Sequence, residues 1–195
     1  MTKLLKTLLL LVAVGFMTGC SSDEEGKNGP NDVIWDISPV NFKIAITDSE
    51  GNDLLDPSSP NNLINDIIVQ YKEDTYSVIL PGQKDNERIS GNGVTRAYAA
   101  MFNGLFLRQK LEYEKNYGTS NYLLVFGEFD GTENVDKRMI TLTIQDNYQV
   151  NLSYSNEFHW NADGSPSNKR KFFLDNQELK DGTGGIYQIQ YTEGW

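Results

Sequence analysis

Short segments in which apolar and polar residues alternate recur along most of this chain. The first is residues 40–47, where Val40, Phe42, Ile44 and Ile46 fall on one side of an extended chain. This period of two is typical of a β-strand with one buried face. Turn-forming residues separate such segments about every eight to twelve positions, which indicates an all-β sandwich or barrel. The other alternating segments are residues 67–71, 76–80, 140–144, 148–154 and 187–191.

One segment, residues 122–129, is apolar at both parities. Its sequence, Tyr-Leu-Leu-Val-Phe-Gly-Glu-Phe, predicts a strand that is covered on both faces and lies at the middle of the core. Beyond the N-terminal residues, no long stretch has the helical period. We therefore predict an all-β fold for a single domain over residues 34–195: an antiparallel β-sandwich, similar to immunoglobulin-like and transthyretin-like modules, or a partly closed barrel.

Pairs of turn-forming residues predict where neighbouring strands form hairpins. Asn103-Gly104 is the preferred pair of a type I′ turn, in which both residues need a positive φ. It predicts a hairpin with Phe102 opposite Leu105. The alternative is a helix over residues 95–114, although Asn-Gly is unfavourable in the middle of a helix. Two further hairpins are predicted at Asp146-Asn147 and Asp175-Asn176.

The N-terminal residues predict where the protein resides. Lys3 and Lys6 precede an apolar run at residues 8–16, which is the pattern of a secretory signal peptide. The run is shorter than the roughly 20 residues that a helix needs to cross a bilayer, so we expect a cleaved signal at residues 1–19. Residues 21–32 contain no apolar side chain to bury, which predicts a disordered acidic tether over residues 20–33.

The run Met17-Thr18-Gly19-Cys20 resembles the lipobox of bacterial lipoproteins. The resemblance implies cleavage before Cys20 and attachment of palmitate-like acyl chains to that cysteine. A buried methylene contributes about 0.8 kcal/mol, so two or three chains anchor a protein durably. The alternative is a secreted protein with an unmodified cysteine. The following Ser21-Ser22 and acidic residues resemble the signal that places Bacteroidetes lipoproteins on the cell surface, and a solvated spacer is the alternative.

The β-rich part resembles a group of small Bacteroidetes outer-membrane lipoproteins of unassigned function. The likeness rests on residues 123–131, on the predicted hairpin 140–154 and on the run Phe173-Leu174-Asp175-Asn176. It implies a lipid-anchored β-domain and brings no catalytic residues with it. The formal net charge of −10 disfavours nucleic acid as a partner.

Candidates for chemistry are few. His159 is the single histidine, and Ser153 and Ser155 lie nearby, but no nucleophile motif surrounds either serine. One histidine and one cysteine also argue against a zinc site and exclude an internal disulfide. Glu128 and Asp130 form a carboxylate pair of the kind that a glycosidase needs, although such pairs arise by chance in an acidic chain.

An acidic turn and the aromatic residues are the remaining candidates for binding. Residues 48–53, Asp-Ser-Glu-Gly-Asn-Asp, suit a calcium loop in part but lack its closing glutamate, so a hairpin turn is the preferred interpretation. Trp35, Trp160 and Trp195 could each contact a ligand. The sequence thus predicts a surface binding or adhesion module for a glycan, peptide or protein, without catalysis or cofactor. The alternatives are an accessory subunit of an outer-membrane complex and a glycan-active hydrolase.

Overall fold

The described part of the chain is built from strands. The computed structural model describes residues 37–82, 100, 102–180 and 183–192. These residues belong to one compact unit, Ile34–Trp195. They contain no α-helix and two short 3-10 helices, Ile64–Asp66 and Glu112–Glu114, so the predicted all-β class is confirmed. The strands are β1 (Val40–Thr47), β2 (Ile67–Tyr71), β3 (Asp74–Ile79), β4 (Leu105–Gln109), β5 (Tyr122–Phe129), β6 (Val135–Ile144), β7 (Tyr148–Trp160), β8 (Pro166–Leu174), β9 (Gln177–Glu178) and β10 (Ile186–Gln190).

All ten strands belong to one sheet. Their order is β10-β1-β5-β4-β3-β2-β6-β7-β8-β9. Seven of the neighbouring pairs are antiparallel, whereas β1 pairs with β10, and β3 with β4, in parallel. The sheet is therefore mixed rather than wholly antiparallel. It curls into a half-barrel, which corresponds to the partly closed barrel among the two predicted forms.

The concave face of the sheet encloses the main core, and aromatic side chains join its two halves. Phe42 on β1 is fully buried, and its ring centroid lies 5.4 Å from that of Tyr154 on β7 and 5.8 Å from that of Tyr187 on β10. The Tyr187 hydroxyl donates a hydrogen bond of 2.7 Å to the Ser153 carbonyl oxygen of β7. Because these contacts link opposite ends of the strand order, they hold the sheet in its curled form.

A β-bulge interrupts the pairing of β1 with β5. Val40 lies opposite Phe129, but Phe42 lies opposite Phe126, so β5 has one residue more than β1 across this interval. Gly127 has a φ of 75°, a left-handed conformation that glycine adopts without steric cost. The extra residue changes the parity of the strand. As a result Phe126 and Phe129 both enter the main core, and Glu128 turns to the outer face.

Two of the three predicted hairpins are confirmed. β6 and β7 are joined at residues 145–147, with Ile144 opposite Tyr148. β8 and β9 are joined by Asp175 and Asn176, whose φ values of 45° and 69° are those that a type I′ turn requires.

The hairpin predicted at Asn103-Gly104 is wrong. Leu105 pairs with Val78 of β3 on one side and with Phe126 of β5 on the other, so no position beside it is left for Phe102. The helix considered for residues 95–114 is also wrong where the structure describes that segment, because β4 occupies it. Long-range pairing with β5 has overridden the local turn signal. Gly104 still has a positive φ, of 90°, and its carbonyl oxygen accepts a 3.0 Å hydrogen bond from the Gly127 N–H.

The prediction of a doubly covered strand at residues 122–129 is confirmed. Leu124 and Phe126 belong to the main core, while Leu123 and Val125 form a smaller cluster with Ala45 on the outer face. The described residues include no helix with the length and apolar character needed to cross a membrane.

We expect Gly127→Ala to destabilise the protein more than Gly82→Ala. Both glycines have a left-handed φ, of 75° and 84°, so both substitutions carry backbone strain of about 1–2 kcal/mol. A Cβ at Gly127 would also lie 2.5 Å from the Phe129 ring, whereas nothing lies within 4 Å of one at Gly82. Overpacking adds about 1–3 kcal/mol. Urea unfolding of the two variants measures the difference, and equal losses would contradict the proposed role of the bulge.

Candidate functional site

A cavity of about 720 Å³ opens on the outer face of the sheet, where β1, β5 and β4 lie side by side. We call it the outer-face groove. The polar and charged residues of its strands point away from the main core, because alternate residues of a strand face opposite sides. The outward side chains in the lining include Asn41 and Lys43 of β1, Phe106 and Arg108 of β4, and Glu128 of β5.

A buried carboxylate organises one end of this groove. Glu114 belongs to the 3-10 helix that follows β4, and its side chain is only 1% exposed. It accepts two hydrogen bonds from the Arg108 guanidinium, at 2.6 and 2.8 Å, and lies 3.0 Å from Lys43 Nζ. The Leu111 N–H donates a further bond of 2.9 Å. Because β1 and β4 each supply one cation, Glu114 fixes the position of both at the wall of the groove.

The environment of Glu114 keeps its carboxylate ionised. Burial alone would raise the pKa of Glu114, but the hydrogen bonds from Arg108 and the Leu111 N–H, together with Lys43, outweigh it and lower that pKa to about 2. The charged pairs are thus formed at any physiological pH. Such a network is costly to break, because removing one partner leaves the other charges buried without compensation.

The rim of the groove beside Glu114 is apolar and exposed. Tyr113 is 62% exposed and Leu111 is 48% exposed, and both line the groove. Lys43 Nζ lies 5.9 Å from the centroid of the Tyr113 ring, within cation–π range. The rim therefore offers a largely exposed aromatic ring next to the fixed cation Lys43.

Arg170 of β8 lines the same groove where β1 begins. Its Nη2 donates a hydrogen bond of 2.6 Å to the Ser38 carbonyl oxygen, and its Nε donates one of 3.1 Å to Asn156 Oδ1. Burial lowers the pKa of this guanidinium. Among the described residues, no carboxylate forms an ion pair with Arg170, in contrast to Arg138, which binds Glu133.

The residues that the sequence singled out for ligand contact lie elsewhere or outside the described chain. Trp160, at the end of β7, is 55% exposed and packs edge-to-face on Phe158 at 5.3 Å, but it does not line the groove. The lipid-attachment candidate Cys20 and the candidates Trp35 and Trp195 lie outside the described residues.

Most of the residues considered for catalysis lie outside the lining of the outer-face groove. Glu128 lines the outer-face groove, whereas Asp130 follows β5 and is not part of that lining. Asp130 instead accepts 2.8 Å hydrogen bonds from the Thr132 N–H and hydroxyl, which lower the pKa of its carboxyl. His159 is exposed on β7, while Ser153 is buried on the same strand.

The acidic segment at residues 48–53 forms a turn, as the sequence predicts. Asp48 accepts hydrogen bonds from the Glu50 N–H, the Asn52 N–H and the Asn52 amide, at 2.7 to 2.9 Å. Asp53 accepts bonds from the N–H groups of Asn121 and Tyr122. Within the described residues, no group of three or more His, Cys, Asp or Glu side chains is arranged to hold a metal ion.

Sequence patterns missed every cation of the outer-face groove. Lys43 and Arg108 occupy outward positions of β1 and β4, where a charged residue is ordinary and carries no signal of a site. Arg170 reaches the groove from β8, which is distant in sequence from β1 and β4. Comparison with known proteins finds no matching family model, no matching curated protein and no matching solved structure.

We expect Glu114→Gln to lower stability most at neutral pH. The folded-state pKa of Glu114, about 2, lies below its usual value of 4.5, so its contribution is complete above pH 4.5 and is lost as the pH falls toward 2. A shift of this size corresponds to a contribution on the order of 3 kcal/mol. The free energy of unfolding, measured between pH 7 and pH 2, checks this.

The matched control is Glu112→Gln in the same 3-10 helix. The side chain of Glu112 is 88% exposed, and its one ion pair within the described part of the chain is with Lys115, so we expect a much smaller loss. If the stability difference between wild type and Glu114→Gln stays constant over this pH range, the assignment of a low pKa to Glu114 is wrong.

Proposed function

We propose that this chain is a lipid-anchored cell-envelope protein that binds a ligand in its outer-face groove and has no catalytic activity. Acyl chains on Cys20 hold it on the outer membrane, and the acidic tether over residues 20–33 carries the folded domain away from the membrane surface. On this proposal the domain is exposed at the cell surface. The lipobox resemblance of residues 17–20 and the absence of apolar residues from 21 to 32 support the anchor and the tether.

The observation that carries the binding proposal is the composition of the groove. A volume of about 720 Å³ is within the range typical of ligand sites, which combine apolar surface with a few fixed polar groups. Phe106, Leu111 and Tyr113 supply the apolar surface. Glu114 holds Lys43 and Arg108 in place before a ligand arrives, which reduces the entropy lost on binding.

A second candidate function is that of an accessory subunit which docks by strand addition. Among the described strands, β10 is the last in the order at one end of the sheet and pairs with β1 alone. An end strand can accept a strand from another chain through its backbone N–H and C=O groups. Co-purification of a partner that is lost when Gln188 is replaced by proline, but not when Tyr113 is replaced by alanine, would favour this candidate.

Cys20→Ala tests the anchor. We expect this variant to leave the membrane fraction for the soluble fraction, because it can carry no thioether-linked acyl chains. Fractionation of cells that express the wild type and the variant measures this, and mass spectrometry of the wild type should find the acyl modification on Cys20. A variant that remains with the membranes would rule out the lipid anchor.

Tyr113→Ala and Trp160→Ala together test the binding surface. Both side chains are more than half exposed, so neither substitution is expected to disturb folding. We expect Tyr113→Ala to weaken ligand binding by about tenfold, as for a typical interface hot spot, and Trp160→Ala to leave it unchanged. The measurement is binding of the full-length lipidated protein to a glycan array.

The opposite pattern on the array, with loss at Trp160 alone, would place the ligand at the end of β7 and refute the groove. A protein that binds no member of the array, and whose Tyr113 variant captures the same partners from intact cells as the wild type, would refute the binding function of this site altogether.

A further inference from the structure

The groove carries a local excess of positive charge on an acidic protein. Lys43, Arg108 and Arg170 lie in its walls. Among the described residues, Glu128 is the carboxylate of the lining, and the buried Glu114 pairs with Lys43 and Arg108. Three cations therefore face two carboxylates, in a chain whose formal net charge is −10. A cleft with one sign of charge and low-dielectric walls concentrates ligands of the opposite sign.

Arg170 is the cation that has hydrogen-bonding capacity to spare. A guanidinium has five N–H donors, and the described contacts of Arg170 use two of them, on the Ser38 carbonyl oxygen and on Asn156 Oδ1. Lys43 and Arg108, by contrast, share the carboxylate of Glu114. An incoming anion would thus find a partly buried guanidinium whose charge is not yet neutralised by a described carboxylate.

The position of Arg170 is fixed before any ligand binds. Asn156, which is 1% exposed, accepts the Nε–H of Arg170 and donates through its own Nδ2 to the Gly131 and Glu133 carbonyl oxygens, at 3.0 and 2.7 Å. The guanidinium is therefore oriented by a buried amide that is itself held at two points. Planar, pre-oriented guanidinium groups suit carboxylates, which they bind with two parallel hydrogen bonds.

We propose that the outer-face groove binds an acidic saccharide, with a sugar carboxylate on the Arg170 guanidinium and a sugar ring against Tyr113. This inference rests on the proposed binding function of the groove and names its ligand class. The floor strands β1, β5 and β4 are each hydrogen-bonded to strands on both sides, so they offer no free edge to which a peptide could add. The exposed Tyr113 ring, beside polar groups, instead suits a ring-shaped ligand with polar substituents.

The length of the groove fits an oligosaccharide better than a single sugar. Ser38, which Arg170 contacts, and Lys43, which lies beside Tyr113, are five residues apart on or next to β1. At a rise of roughly 3.3 Å per residue, their backbones are about 16 Å apart. A ligand that reaches both the guanidinium and the aromatic ring must span a distance of this order.

The first test compares trigalacturonic acid with its methyl ester on the full-length lipidated protein. The two probes differ in the charge of the carboxyl groups and in the ester methyls. We expect the acid to bind about tenfold more tightly or better, since a desolvated charge pair contributes at least that much, and its affinity to fall with added salt. Calorimetric titration measures both affinities, and equal binding of acid and ester would overturn the proposal.

The second test identifies the contact residue without any substitution. In wild-type protein labelled with ¹⁵N-arginine, trigalacturonic acid should shift the Nε–H resonance of Arg170 saturably and leave that of Arg138, which is paired with Glu133, in place.

A matched pair of variants gives a further check. Arg170→Gln should weaken binding of the acid at least tenfold, whereas Arg138→Gln should not. An Arg170 resonance that does not move would overturn the proposal even if Arg170→Gln fails to fold.

A third arm distinguishes the source of the carboxylate. Triglutamate presents carboxylates on a peptide, so binding as tight as that of trigalacturonic acid would refute the saccharide. If neither acid binds, but the glycan array finds a neutral ligand that requires Tyr113, this inference fails while the proposed binding function of the groove stands.

Discussion

The bulge at Gly127 is the constraint on which both faces of the sheet depend. An uninterrupted β5 would place Phe126 and Phe129 on opposite faces, because they are three residues apart. The extra residue brings both rings into the core, where they pack with Phe42. The same change of parity directs Glu128 to the outer face and into the groove. One left-handed glycine therefore sets the composition of the core and of the candidate site together.

The bulge is also a junction between strands that are distant in sequence. The Gly127 N–H donates to the Gly104 carbonyl oxygen just before β4, and the side-chain amide of Asn41 on β1 can donate to the Gly127 carbonyl oxygen, at 2.8 Å, when its nitrogen is turned toward that oxygen. Polar contacts of Gly127 thus connect β5 to β4 on one side and to β1 on the other. Since these strands carry Asn41, Lys43 and Arg108, the geometry of the groove follows from that of the bulge.

The groove and the core are stabilised by different physics. Packing of aromatic rings around Phe42 closes the half-barrel and is insensitive to pH. The wall of the groove is instead organised by the ionised Glu114, whose buried carboxylate needs Arg108 and Lys43 to offset its desolvation. The network therefore contributes to stability and at the same time fixes two cations at an open surface.

The sequence by itself determined the elements whose signals are local. Alternation specified β1 and β7, because burial of one face imposes a period of two, and Asp175-Asn176 specified its turn through the left-handed φ values that these residues tolerate. The doubly apolar segment at residues 122–129 likewise specified a covered strand. No local signal distinguished a sandwich from a curled mixed sheet, because the parallel pairs of β1 with β10 and of β3 with β4 join residues far apart in the chain.

Only the tertiary structure decided where the site lies. At Asn103-Gly104 the local preference for a hairpin turn is outweighed by the pairing of β4 with β5, because that pairing buries Leu105 and Leu107. Lys43, Arg108, Glu114 and Arg170 come from four separate segments, and each alone is an ordinary charged residue. Their chemistry exists only where the fold brings the segments together, because the Coulomb energy of charges and the orientation of hydrogen bonds depend on distances in space rather than on positions in sequence.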